Sequence, residues 1–185
     1  MTNIQKYRSF AGEKLILPYI FSLLLFVSCG EKKKELSKQE QLKYHETLIK
    51  VNKYLVDEDA DIIRKYIKRR NWQMKTTKTG LWYMIYEKGK GEIAQSNKMA
   101  TILYKVSLLD GTLCYSSEKS GTKKFRIGQG GIEPGLEEGI LLLHTGDKAK
   151  LIMPPHLAHG LMGDGDKIPP RSTILYEIEL TQISD

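Results

Sequence analysis

Cysteine is almost missing from this chain of 185 residues: there are only two, Cys29 and Cys114. That excludes a dense disulfide scaffold and leaves stability to a hydrophobic core. Long apolar runs are missing as well. The uncharged stretch from Leu15 to Val27, LILPYIFSLLLFV, would span only about 20 Å at 1.5 Å per residue, short of a hydrocarbon core of about 30 Å. Pro18 interrupts it, so a permanent transmembrane helix is a poor fit. Complete metal sites are missing too. His156 and His159 stand three apart with no further ligand cluster, and Asp164-Gly165-Asp166 carries only part of a calcium loop and reads as a turn. The run Gly128-Gln129-Gly130-Gly131 lacks phosphate-loop spacing and reads as a tight connection. No Ser-His-Asp arrangement is evident, and neither a cofactor nor a metal is expected.

What is present begins with an address. Lys6, Arg8 and Lys14 precede the apolar run, which ends at Val27-Ser28-Cys29-Gly30. A basic segment, an apolar segment and small residues before a cysteine predict a signal peptide over residues 1–28. The tetrad FVSC resembles a lipobox, with Phe26 where Leu is usual, and that resemblance implies lipidation of Cys29. Acyl chains contribute about 0.8 kcal/mol per buried CH₂, and several together anchor a protein stably to a bilayer. The expected location is the cell envelope, lipid-anchored, with Gly30 leaning toward the outer membrane facing the periplasm. Cys114 would then be the one remaining thiol, read as a small buried hydrophobe in preference to a reactive group.

The formal net charge of +7 is uneven. Residues 1–28 carry a net +2, residues 29–79 a net +6, and residues 80–185 a net −1. Basic excess just after a lipid anchor suits anionic headgroups or solvation, and no nucleic-acid partner is expected.

Residues 29–75 read as a charged tether, EKKKELSK, followed by two helices. Leu42, Leu48, Ile49, Leu55 and Val56 recur at helical spacing, and after Asp57-Glu58-Asp59 so do Ile62, Ile63, Tyr66 and Ile67. Asp57 or Asp59 would cap the second helix. The stripes fit packing on their own domain, a homodimer seam through these helices, or a docking face for another protein.

From residue 76 to residue 185 the period changes. Alternation predicts strands at Leu81–Tyr86, Thr101–Leu108, Phe125–Ile127, Lys148–Met153 and Ser172–Leu180. A helix begins near Pro134 with Leu136, Ile140, Leu141 and Leu143 as its apolar face, and Pro154 to Pro170 must be a long ordered loop. The class is α+β.

The stretches LWYMIYEKGKG, ILYKVSLLDG, SS with KKFRIGQGG, PGLEEGILLLHTGDKAKLIMPP with AHG, and KIPPRSTILYEIEL occur in the order and spacing of an FKBP domain, and residues 76–185 resemble that family of peptidyl-prolyl cis/trans isomerases. The resemblance implies a curved antiparallel β-sheet wrapped around one short helix, with a shallow aromatic pocket between them. It places Tyr104, Phe125, Ile132, Leu136, Ile168 and Tyr176 around that pocket. It gives Glu133 a backbone N–H for the bound peptide, and His159 the place of a Tyr hydroxyl donor. Cys114 and Tyr115 stand where the family has a Phe-Asp pair, at the substrate-binding wall, and Lys123 replaces a rim aromatic. These departures imply weaker binding of macrolide inhibitors than of substrate. The function implied is isomerisation of X–Pro bonds in unfolded or exported polypeptides. The competing reading is a catalytically weak FKBP-like binding or adaptor lipoprotein, favoured by Cys114-Tyr115. A third is a holdase acting through the helical segment.

Overall fold

The computed structural model describes residues 37–185. The signal segment, Cys29 and nearly all of the charged tether lie outside the described residues. The first described element is helix α1, Lys38–Arg70. Ser37 and Glu40 start it with a reciprocal cap: the Ser37 N–H donates to the Glu40 carboxylate at 2.9 Å, and the Glu40 N–H donates to Ser37 Oγ at 3.3 Å. At the other end Asn71 adopts φ +53, and the Trp72 N–H closes on the Ile67 carbonyl at 3.3 Å.

The sequence pattern predicts two helices parted at Asp57-Glu58-Asp59; the chain forms one. No Gly or Pro interrupts residues 38–70, and the acidic triplet is not spent on a cap. Glu58 and the buried Asp59 each accept from Arg171 Nη2 at 3.1 Å. An ion pair with a distant loop thus removes the need for a new helix start. Among the described residues no helix is long and apolar enough to cross a membrane.

Strands β1 (Lys75–Thr76), β2 (Trp82–Glu87), β3 (Met99–Leu108), β4 (Leu113–Ser116), β5 (Lys123–Arg126), β6 (Lys148–Met153) and β7 (Ile174–Ser184) form one antiparallel sheet in the order β1-β2-β6-β7-β3-β4. β7 pairs with β3 along its full length, while β4 and β5 share the other edge of β3. Register shifts at Ile85/Glu87, Thr101/Ile102 and Val106/Ser107 bend the strands and give the sheet its curve. Sequence alternation does not reveal β1, β4 or the single helical turn α2 (Ser117–Ser120), which are too short to show a period.

The pleat sends neighbouring residues to opposite faces. Ile152 and Leu175 turn outward to meet Ile63, Tyr66 and Ile67 of α1, with Trp72, Met74, Trp82 and Leu109 around them. Leu151, Met153, Ile174 and Tyr176 turn inward to helix α3, Pro134–Ile140. Leu136 and Ile140 are fully buried there. A Cβ on Gly139 would stand 2.5 Å from a Leu151 methyl, so α3 lies unusually close to β6. The helix ends at Ile140, earlier than the pattern suggests. Leu143 is still buried beyond it, but Leu141 is exposed.

Two carboxylates hold the connections. Asp147, buried, accepts the Gly89 N–H at 2.6 Å and the His144 N–H at 2.7 Å. Asp164 organises the long loop, which opens with a 3-10 turn at Pro155–Leu157. It accepts the Tyr115 hydroxyl and the N–H groups of Asp166 at 2.9 Å and Ile168 at 2.8 Å. Gly163 adopts φ +70 against the Ile168 carbonyl, a place where a side chain would collide with backbone. Partial burial would raise the Asp164 pKa, but the bonds from Tyr115 and the two N–H groups, with His159 nearby, outweigh it and hold the pKa down to about 2.

Asp147→Ala leaves two backbone N–H groups without an acceptor and should cost about 1–3 kcal/mol for each one that stays dry, measured by urea unfolding. A carboxyl whose folded pKa is about 2, below the ordinary 3.8, adds stability that is present above the ordinary value and lost as pH falls toward 2. Subtracting the acid unfolding profile of Asp164→Asn from that of the unaltered chain should show a difference confined to that window.

Candidate functional site

Between α3 and the long loop lies an open cleft of about 340 Å³, lined by Lys123, Gly131, Ile132, Glu133, Pro134, Ala158 and His159. They come from three segments: β5, the lead into α3, and the long loop. Lys123 enters from β5, where it shares a face with buried Phe125 two residues on. Ile132 and Glu133 precede α3, with Pro134 at its first turn, and the Glu133 carbonyl starts the helix by accepting the N–H groups of Leu136 at 2.9 Å and Glu137 at 3.1 Å. The Glu133 N–H donates to no backbone carbonyl among the described residues. Ahead of it, the Glu137 carboxylate takes the N–H groups of Gly128 at 3.1 Å and Gly130 at 3.0 Å, so the glycine run is a tight connection fastened to α3.

Beneath the cleft lies the apolar set named from sequence. Phe125, Leu136, Ile168, Tyr176 and Cys114 belong to one buried cluster, with Tyr104, Tyr115 and Ile132 partly buried against it. The Tyr104 and Tyr176 rings lie 6.2 Å apart. These residues converge, but not as an open greasy cup. Leu136 is 0% exposed, Tyr176 1% and Ile168 2%, so they form the floor under the cleft and not its walls.

What lies over that floor is polar. The Tyr176 hydroxyl donates to Glu133 Oε1 at 2.6 Å. Lys123 Nζ donates to Glu133 Oε2 at 3.1 Å and to the Tyr176 hydroxyl at 3.2 Å, and stands 5.9 and 5.7 Å from the Tyr104 and Tyr176 ring centres. Burial alone would raise the Glu133 carboxyl, but the Lys123 charge and the Tyr176 hydroxyl bring it below the usual carboxylate range. Burial, followed by the Glu133 charge, pushes the Tyr176 phenol far upward, so it remains a neutral donor. His159 completes the wall. Its Nε2 is closed off from solvent 3.4 Å from Glu133 Oε1, without hydrogen-bond alignment, and has no hydrogen-bond partner among the described residues.

Glu133 therefore brings a side chain to the site as well as the N–H that the sequence suggests. Lys123 appears in the sequence only as a lost aromatic, yet it is the cation of the cleft. The strand period could have found it, since positions 123 and 125 share a face. Ala158, Pro134 and Gly131 carry no chemical signal and were not legible. Tyr115 stands outside this cleft: its hydroxyl is committed to Asp164 and 3.3 Å from Asp166, under Lys167 Nζ 4.9 Å from the ring. Cys114 is buried, with Sγ 3.6 Å from the Lys167 carbonyl, and burial raises its thiol pKa, which suits a packing role. His156 and His159 do not act together. His156 Nε2 pairs with the Thr79 carbonyl at 2.9 Å.

Comparison with known proteins agrees with this fold. Residues 90–181 match the family described as FKBP-type peptidyl-prolyl cis-trans isomerase. The FKBP-type peptidyl-prolyl cis-trans isomerase FkpA of Escherichia coli strain K12 is 35% identical over 138 residues, covering 72% of this chain and 49% of that protein. The chain thus spans about half the length of that relative. FK506-binding protein 1 of Dictyostelium discoideum is 33% identical over 102 residues, covering 55% of this chain and 95% of that protein. The crystal structure of FkpA from Escherichia coli superposes with a TM-score of 0.58 at 29% identity, over 94% of this chain and 83% of that one. Fold and relatives coincide, and the chain belongs to the FKBP-type peptidyl-prolyl cis-trans isomerase family.

Proposed function

We propose that this chain isomerises X–Pro bonds in exported polypeptides within the bacterial cell envelope, held to a membrane by lipid on Cys29. The carrying observation is the cleft of about 340 Å³ between Ile132-Glu133-Pro134 and Ala158-His159, set over the buried Tyr104–Tyr176 pair.

The X–Pro amide resists rotation by about 18–20 kcal/mol because it is conjugated. A site that favours the twisted amide over both planar forms lowers that barrier, and no nucleophile is needed. Ile132 and Pro134 offer the prolyl ring an apolar edge, and the Glu133 N–H orients a peptide carbonyl. His159 supplies a second donor from Nδ1, since its Nε2 is closed off against Glu133. Moving the amide from water into this cleft removes solvation that favours the dipolar planar form. A hundredfold acceleration needs only about 2.7 kcal/mol, within reach of two oriented hydrogen bonds and partial desolvation.

One observation favours the rival reading of a weakly active binding module. Lys123 and Glu133 place an ion pair over the floor where an apolar wall would hold the proline most firmly. In a protease-coupled assay on a proline tetrapeptide, the full chain should accelerate exchange. His159→Ala should lower kcat/KM roughly two- to tenfold, the worth of one substrate hydrogen bond of about 0.5–1.5 kcal/mol. Tyr176 is too buried for an alanine test, so Tyr176→Phe, which keeps the ring, is the companion variant. Exchange no faster than background hands the function to the binding module.

The location and partners rest on the leader and on α1. Leu48, Ile49, Val51 and Tyr54 are all exposed on α1, which supports a second copy of this chain as partner through the helices. Expressed from its full sequence, the protein should incorporate labelled palmitate and fractionate with membranes. Cys29→Ala should lose the label, leave the membrane fraction and sediment as a dimer. Unchanged labelling removes the anchor, and a monomer removes the helix seam.

A further inference from the structure

The long loop carries His159 and, five residues on, Asp164, and these two parts of it are fastened differently. Tyr115 holds Asp164 from β4. Beside His159, Gly160 bonds within its own turn, its N–H donating to the Pro155 carbonyl at 2.8 Å, while its carbonyl accepts the Arg171 N–H at 3.0 Å. Arg171 is in turn gripped by α1: Nη2 reaches Glu58 and Asp59 at 3.1 Å each and the Leu55 carbonyl at 3.5 Å. Its backbone sits at φ +54, a conformation that L residues other than Asn and Asp seldom adopt and that persists only where the surroundings impose it. Neither the isomerase mechanism nor the packing of α1 on the sheet calls for this arrangement, and Asp59 is 7% exposed, so a carboxylate has been buried to make it.

We propose that Arg171 is a positioning residue for isomerisation: the Glu58–Asp59 turn of α1 holds its guanidinium, its N–H holds the Gly160 carbonyl, and the neighbouring His159 ring is thereby kept against Glu133 in the cleft wall. This rests on the reading of His159 as a donor to the substrate. It makes α1 part of the catalytic apparatus although no α1 side chain lines the cleft. The coupling is a continuous chain of bonded groups, from carboxylate to guanidinium, through one residue of backbone, to the loop carbonyl beside the histidine.

The test uses the full chain in the proline tetrapeptide assay. Arg171→Gly is the informative variant, because glycine accepts the positive φ and keeps the backbone donor while removing the guanidinium. It should lower kcat/KM roughly two- to thirtyfold, the range found when a coupling residue outside the site is removed. Arg171→Lys, which keeps a cation for Asp59, should recover part of the loss. In a His159→Ala background Arg171→Gly should have no further effect. Equal loss with and without His159 would show a general weakening of the fold and overturn the proposal, as would full activity in Arg171→Gly. Should the variant be too unstable to assay, Glu58→Gln, at a half-exposed carboxylate, must reproduce the same His159-dependent loss in smaller degree. If His159→Ala alone matches the unaltered chain, the donor reading fails first and this proposal with it, an outcome separable from failure of Arg171.

Discussion

The period of two along β6 and β7 is the constraint from which the rest follows. Leu151 and Tyr176 face one way, Ile152 and Leu175 the other, and the register pairs like with like: Leu151 opposite Tyr176, Ile152 opposite Leu175. One face therefore carries the apolar floor on which α3 and the cleft rest, and the other carries the seat of α1. A slip of one residue would exchange the two faces and place Tyr176 under α1. Both the position of the cleft and the attachment of the helix are set by this single alternation.

The candidate site is built around a carboxylate that needs company. Glu133 is nearly enclosed, and an enclosed carboxylate without partners would be costly. Lys123 from β5 and the Tyr176 hydroxyl from β7 satisfy it from two sides, so three separate elements are fastened to one another directly beneath the place where a peptide would lie. The result is a cleft whose apolar surface is narrower than its aromatic floor suggests. It trades hydrophobic grip for fixed polar groups.

Much of this was legible in the sequence, and the limits have physical causes. Long strands such as β3 and β7 announce themselves by alternation, and the FKBP-like segments alone place Tyr104, Leu136, Ile168 and Tyr176 in one neighbourhood. The short strand Leu113–Ser116 has too few residues to show a period. The break expected at Asp57-Glu58-Asp59 failed because the partner of Asp59 lies 112 residues away, and no local pattern carries that distance. The conversion of the cup into a polar cleft was hidden for a similar reason. Lys123, Glu133 and Tyr176 look unrelated along the chain and meet only through tertiary packing.

β7 follows every other described strand along the chain, yet it occupies an interior place in the sheet, between β6 and β3. Until its residues are available, β3 lacks the neighbour that pairs along its whole length, and β6 has β2 alone. The sheet therefore cannot be completed piece by piece as the polypeptide emerges. It must wait for a late, long-range closure, the kind of topology that folds slowly and leaves strand edges open in the meantime.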